Sequence, residues 1–282
     1  MASNEIDPVN STDLKISRRG FAIAGSAALL GAAASSADEL GKPHPPFVAE
    51  DDPAIVVSRP RLLPAAGGAI GAYAALPRQV RSTTPGVVVI QAIWGVDAQL
   101  RDVVRRYAKA GYAAVAPRLY DRVNAPDADG SSDVAAFRPV AKAMFEQGFV
   151  KTDIDSAHDW IGSQAAQSKI GITGFCMGGA VVLSQIAGST LFTAASVFYG
   201  SVQPPPQGAI SAALLGSYGA RDTSIAPADV RAFFEQLSAP HDLKIYDEAG
   251  HAFFDDTRAR YVASAANDAW RRTLAWFEKY LT

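Results

Sequence analysis

The chain carries a single cysteine, Cys176, and its surroundings suggest a chemical use for it. It sits in Gly174-Phe175-Cys176-Met177-Gly178-Gly179, a G-x-C-x-G pattern set between the apolar run Lys169 to Thr173 and a small-residue stretch, Cys176 to Ala187, with helical spacing. A nucleophile at a sharp strand-to-helix turn is held in a strained backbone conformation, so its neighbours must lack bulk where strand and helix crowd together. Such a turn lifts the sulfur above the sheet and sets it at a helix N-terminus, whose partial positive charge favours a thiolate. A buried structural cysteine beside packing glycines is the competing reading. A dinucleotide-binding loop is a second competitor, but the glycines do not form G-x-G-x-x-G and no acidic residue ends the strand near Tyr199.

A nucleophile in this setting needs an acid and a histidine later in the chain, in that order. Of the four histidines, His44 lies in a Pro-rich lead-in, His158 inside a helical stretch and His241 just before a strand. These three read as surface groups or satisfied polar contacts. His251 follows the strand ending at Tyr246–Asp247, on a loop at the strand's C-terminal end, where ligands and catalytic groups gather on a parallel sheet. Asp222 falls in the loop after Leu214-Leu215-Gly216-Ser217-Tyr218-Gly219, where an aspartate can also serve simply as a turn former or helix start. The order Cys176, Asp222, His251 is that of α/β-hydrolases. In that arrangement Asp222 fixes the imidazole tautomer, while His251 takes the thiol proton and later delivers one to the leaving group. The oxyanion donors expected are the backbone N–H of Met177 and that of Ile93, in the loop Gln91 to Gly95. There is no H-E-x-x-H motif and the histidines are scattered, so no metal and no organic cofactor is expected.

The elements that must position these groups are legible as an alternation. Ile55–Ser58, Ile70–Leu76, Val87–Ile90, Tyr112–Ala116, Lys169–Thr173, Ala194–Tyr199, Ala212–Ser217 and Leu243–Tyr246 read as strands. Gln99–Ala110, Asp153–Gln167, Cys176–Ala187, Pro227–Leu237 and Ala259–Tyr280 read as helices. The fold class is α/β, a mostly parallel central sheet with helices on both faces. Residues 122–139 read as a long loop that covers the site. The 282 residues, 49% hydrophobic with 23 Gly and 17 Pro, suit a globular enzyme rather than a disordered or fibrous chain. Lys plus Arg number 26 against 28 acidic residues, a balance of −2 that gives no sign of a nucleic-acid partner. One cysteine also excludes an internal disulfide.

The N-terminus reads as an address. Ser17-Arg18-Arg19-Gly20-Phe21 precedes the apolar run Ala22 to Ala34, and Ser35-Ser36-Ala37 offers a small-residue cleavage site. Twin arginines in this order resemble the bacterial Tat signal, which implies the Tat export machinery as partner of the precursor and a periplasmic or secreted product. The apolar run is short of the ~18 residues that span a bilayer, so no stable membrane anchor is expected after cleavage. The expected division is a signal at 1–37, an extended lead-in at 38–68 and one catalytic domain at 69–282.

With these residues in hand, the chain resembles the dienelactone hydrolase (carboxymethylenebutenolidase) family of the α/β-hydrolase superfamily. The likeness is carried by Pro85-Gly86-Val87-Val88-Val89-Ile90-Gln91, Leu119-Tyr120-Asp121-Arg122, the cysteine turn, Tyr218-Gly219-Ala220-Arg221-Asp222 and Ala249-Gly250-His251-Ala252-Phe253. The resemblance implies a thiol hydrolase of a small ester or lactone, with Cys176, Asp222 and His251 as triad and Arg122 as binder of a substrate carboxylate, a task suited to the guanidinium fork. A surface salt bridge is the other reading of Arg122. Tyr199 and Trp94 are assigned as further substrate contacts. Two positions depart from the family pattern: Ala92 stands where the family has a Glu that helps activate the thiol, and Asp255 stands where it has a second Arg, although Arg258 is close by. These departures leave open an alternative, a catalytically degenerate member acting as a small-molecule binding protein.

Overall fold

The computed structural model describes residues 46–282 except 130, 132 and 166–168. The proposed signal, His44 and the end of the helix expected to reach Gln167 lie outside the described residues. In chain order the elements are β1 (Ile55–Ser58), β2 (Arg61–Leu62), β3 (Ile70–Pro77), β4 (Gly86–Ile90), α1 (Ala98–Lys109), β5 (Ala113–Pro117), α2 (Val134–Glu146), α3 (Val150–Gln164), β6 (Ile170–Phe175), α4 (Met177–Ile186), β7 (Ala194–Phe198), β8 (Ala213–Gly219), α5 (Pro227–Glu235), β9 (His241–Tyr246) and α6 (Ala263–Leu281). No described helix is long and apolar enough to cross a membrane.

The sheet runs β1-β3-β5-β4-β6-β7-β8-β9, with β2 paired to β3 off this path. Pairs involving β1, β2 and β3 are antiparallel; from β5 to β9 every pair is parallel. Strand β4 explains why the middle is parallel. Its Val87, Val88, Val89 and Ile90 are all fully buried, which only a strand covered on both faces requires. Successive side chains point to opposite faces. Val88 and Ile90 join a cluster with Phe137, Ile154, Val182 and Val230, from α2, α3, α4 and α5. Val87 and Val89 join another with Val103, Val104 and Phe277, from α1 and α6.

From β4 the chain steps to one side for β5 and then returns to the other side for β6. The crevice at such a switch point, at the carboxyl ends of the strands, is where open α/β sheets bind ligands. Here the loop 91–97 leaves β4 and Cys176 leaves β6 on that edge.

One expectation is corrected. The segment expected to be a loop over 122–139 ends in a helix, α2, capped by the Asp133 carboxylate accepting from the N–H groups of Ala135 and Ala136. Phe137, Val140, Ala141 and Met144 supply its buried stripe despite Pro139 inside it. The lead-in carries the strand expected at Ile55–Ser58. Its β1 pairs with β3, and Asp102 on α1 accepts from the N–H groups of Phe47 at 3.0 Å and Val48 at 2.9 Å.

Candidate active site

The turn at Cys176 shows the strain expected of it: φ is 55° and ψ −116°, a region that non-glycine residues avoid unless the surroundings impose it. Its N–H donates to the Phe198 carbonyl at 3.0 Å, and α4 begins at the next residue. The glycines around it are required by close approach. A Cβ at Gly178 would collide with the carbonyls of Ile90 and Gln91, and one at Gly174 with the carbonyl of Gly178. A Cβ at Gly179 would stand 2.7 Å from the Gly200 Cα.

His251 reaches the sulfur from the loop after β9. Its Nε2 lies 3.1 Å from the Cys176 Sγ, and its Nδ1 lies 2.7 Å from Asp222 Oδ2. Asp222 follows β8, and its other oxygen accepts from the N–H groups of Ser224 at 2.8 Å and Ile225 at 3.1 Å. The two loops are tied directly, by Arg221 N–H to the Ala249 carbonyl at 2.9 Å and Ala220 N–H to the Tyr246 carbonyl at 2.9 Å. The structure therefore brings Cys176, His251 and Asp222 into one hydrogen-bonded line.

The electrostatics follow from that line. Burial alone would push the His251 pKa down, but the hydrogen bonds and charges of Asp222 and Cys176 outweigh it and raise it to about 9. For Asp222 burial acts upward, and the bond to His251 together with the two backbone donors brings it below the usual carboxylate range. A ring that holds its proton at neutral pH is the form that stabilises an adjacent thiolate.

Met177 opens α4, and an N–H in a helix's first turn has no intrahelical acceptor. Ile93 lies in the loop after β4. Its carbonyl accepts from the Tyr120 hydroxyl at 2.9 Å, and Gly95 N–H closes a turn on the Ala92 carbonyl at 3.2 Å. Ala92 packs into the same apolar cluster as Cys176, so the place of the family's carboxylate is taken by a methyl group.

Three of the expected substrate contacts behave differently from one another. Trp94 lines a cavity of about 480 Å³ that it shares with Gln91 and Tyr120. That cavity adjoins the sulfur's turn, since the Tyr120 hydroxyl touches Met177 Sδ at 3.9 Å. Tyr199 is only 2% exposed, with its ring 5.3 Å from the His251 ring and in contact with Phe175 and Phe253. It backs the imidazole rather than facing substrate. Arg122 departs most from expectation. Its Nε donates to the Gly67 carbonyl at 2.7 Å, one terminal nitrogen to the Gly68 carbonyl at 2.8 Å and the other to Asp153, and the guanidinium lies over Phe149. With every nitrogen so engaged, it ties the β2–β3 loop to α3 and is not free to receive a carboxylate.

A further cluster joins Trp94, Asp255 and Arg258, named in the sequence one by one, to Asp97, which was not. Arg258 stacks on Trp94, with its guanidinium carbon 4.1 Å from the ring centroid. It donates to Asp255 at 2.7 Å and to Asp97 at 3.1 Å. Asp97 also caps α1 by accepting from Leu100 N–H at 3.0 Å. Burial, and then the nearby Asp255 charge, raise its pKa to about 6 against the opposing pull of Leu100 N–H and Arg258. The sequence signal was Asp255 in place of the family's second Arg, with Arg258 three residues on; nothing in it pointed to Asp97. Among the described residues no group of three or more His, Cys, Asp or Glu could hold a metal ion.

Comparison with known proteins gives a consistent picture. The profile of the dienelactone hydrolase family matches residues 70–281. A carboxymethylenebutenolidase homologue of Escherichia coli (strain K12) is 34% identical over 233 residues, covering 77% of this chain and 85% of that protein. One from Methylorubrum extorquens is 32% identical over 234 residues, covering 77% and 79%. Among solved structures, a dienelactone hydrolase homologue from Klebsiella pneumoniae superposes with a TM-score of 0.72 at 32% identity, covering 80% of this chain and 100% of that one.

Proposed function

Since this chain belongs to the dienelactone hydrolase family and is a hydrolase of ester or lactone bonds, we propose that it works through Cys176 as nucleophile and a covalent acyl-enzyme. The observation that carries this reading is the unbroken line from sulfur to carboxylate, 3.1 Å from Sγ to Nε2 and 2.7 Å from Nδ1 to Oδ2. With Nδ1–H donated to Asp222 and the proton from sulfur already on Nε2, the resting pair is thiolate and imidazolium, and the thiolate attacks the carbonyl carbon of the ester. The tetrahedral oxyanion is held by the N–H groups of Met177 and Ile93. Its collapse forms the thioester and expels the alkoxide, which takes the proton from the imidazolium and leaves as an alcohol. Water then attacks the thioester, giving up a proton to His251, and the acid departs with the thiolate–imidazolium pair restored. No group outside the chain is needed.

The substrate is a small carboxylic ester or lactone, sized to the cavity beside Trp94. We read residues 1–37 as a Tat signal that delivers the folded enzyme to the periplasm or beyond, and fractionation of cells expressing the full chain tests this: replacing Arg18 and Arg19 with lysines should leave the protein in the cytoplasm. The catalytic reading is tested with p-nitrophenyl butyrate. Cys176→Ala should lose at least about 10³-fold in kcat/KM with an unchanged melting temperature. A variant that keeps more than a tenth of the activity would overturn the assignment.

A further inference from the structure

The cavity lined by Trp94 and Tyr120, whose hydroxyl touches Met177 next to the nucleophile, has arginines in and around its wall that are all already neutralised. In its wall, Arg101 pairs with Asp129 at 2.6 Å and Arg118 with Asp121 at 2.8 Å. Next along the chain from that wall, Arg122 is paired with Asp153. Arg258, stacked on the wall residue Trp94, is held by Asp97 and Asp255. The wall itself contains four aspartates, Asp97, Asp121, Asp127 and Asp129, against two arginines. Adding Arg258 and Asp255 from behind Trp94 still leaves carboxylates in excess.

Asp255 is close enough to matter to the reacting groups. The charges of Asp255 and Cys176 both act on the hydroxyl of buried Tyr199, whose ring lies against His251. The pair is also built rather than incidental. One Asp255 oxygen is fixed by Thr257, through its N–H at 3.1 Å and its hydroxyl at 2.6 Å, which leaves the other to hold Arg258 at 2.7 Å. A ligand carboxylate entering here would meet no uncompensated cation and would have to displace an existing ion pair, while a neutral ligand meets dipoles and the Trp94 ring.

We infer that this enzyme selects uncharged esters or lactones over anionic ones, and that Asp255 is a specificity-determining residue that sets the selection by occupying Arg258. The inference rests on the reading of Cys176 as an ester-cleaving nucleophile at this site. It also accounts for Arg122: the guanidinium that could have received a substrate carboxylate is tied to Asp153 and the Gly67–Gly68 carbonyls instead.

The test compares two esters that differ in one charge, p-nitrophenyl hydrogen glutarate and the p-nitrophenyl ester of monomethyl glutarate, at neutral pH and low salt. The wild-type enzyme should favour the neutral ester by at least about tenfold in kcat/KM. In Asp255→Asn, which keeps the acceptor for Thr257 but leaves Arg258 paired with Asp97 alone, this preference should shrink by on the order of tenfold, mainly through a lower KM for the anion. Asp159→Asn makes the same change in net charge at an exposed site on α3 and should leave the ratio unchanged. Should Asp255→Asn fold poorly, the wild-type protein supplies a second reading: 1 M NaCl should narrow the preference by screening the anion's repulsion. A wild-type preference for the anion, or a ratio that moves neither with Asp255→Asn nor with salt, would overturn this inference while leaving the Cys176 mechanism standing. Failure to cleave either ester would overturn the mechanism, and the inference with it.

Discussion

At the scale of single residues, reactivity depends on whether His251 keeps its proton. Its pKa of about 9 lies above the ordinary imidazole value of about 6.5, so the imidazolium is present at neutral pH and is lost as pH rises through 9. The cation beside the sulfur favours its thiolate, the nucleophilic form. Iodoacetamide labelling of the wild-type protein should therefore be fast at pH 6.5, whereas His251→Asn should label at least about tenfold more slowly there. Identical profiles would show that the imidazole does not govern the thiol. Much of this was readable in the chain, because Cys176, Asp222 and His251 each follow a strand at the sheet's functional edge, β6 and β8 buried throughout and β9 largely exposed. Arg122 was misread for a physical reason. Its partners, Asp153 and Gly67, lie 31 and 55 residues away, and only the folded chain brings them together.

At the scale of elements, the cysteine turn exists because β6, α4 and the loop after β4 approach closer than side chains allow. Gly178 is packed against the carbonyls that end β4, and backbone cannot yield as a flexible side chain can. Gly178→Val should cost at least about 3 kcal/mol, seen as a depressed midpoint in urea or as insoluble protein. A wild-type midpoint would mean that the glycines are incidental. Strands such as β4 were legible as uninterrupted β-branched runs, since burial on both faces leaves that mark. Helix α2 was not, because Pro139 reads as a breaker, yet its missing N–H is tolerated where Phe137, Val140, Ala141 and Met144 bury one face. Strand β1 was legible as a strand, but its membership of the main sheet was not, as antiparallel pairing to β3 leaves no local trace.

At the scale of the whole molecule, the segments that frame the site are held by a buried ionic tie on the α1 side of the sheet. Arg106 pairs with Asp102 at 2.5 Å and with Asp256, in the loop that carries His251, while Asp102 holds the lead-in at Phe47 and Val48. Arg106→Met would leave the buried Asp256 without its cation and Asp102 with only the longer pair to Arg105 at 3.4 Å, and should destabilise the fold by about 3–5 kcal/mol. Thermal or urea unfolding measures this, and a loss under 1 kcal/mol would show the tie to be dispensable. The composition and strand–helix alternation foretold the layered architecture, but not this tie, whose members are spread along the chain from 47 to 256. The central claim is that ester cleavage passes through a bond to one sulfur. Its most direct measurement is the intact mass of the protein, quenched in acid within milliseconds of mixing with p-nitrophenyl butyrate. A mass gain of one butyryl group, mapped to Cys176 and removed by hydroxylamine, is expected. Rapid turnover with no adduct, or an adduct on another residue, would contradict the account.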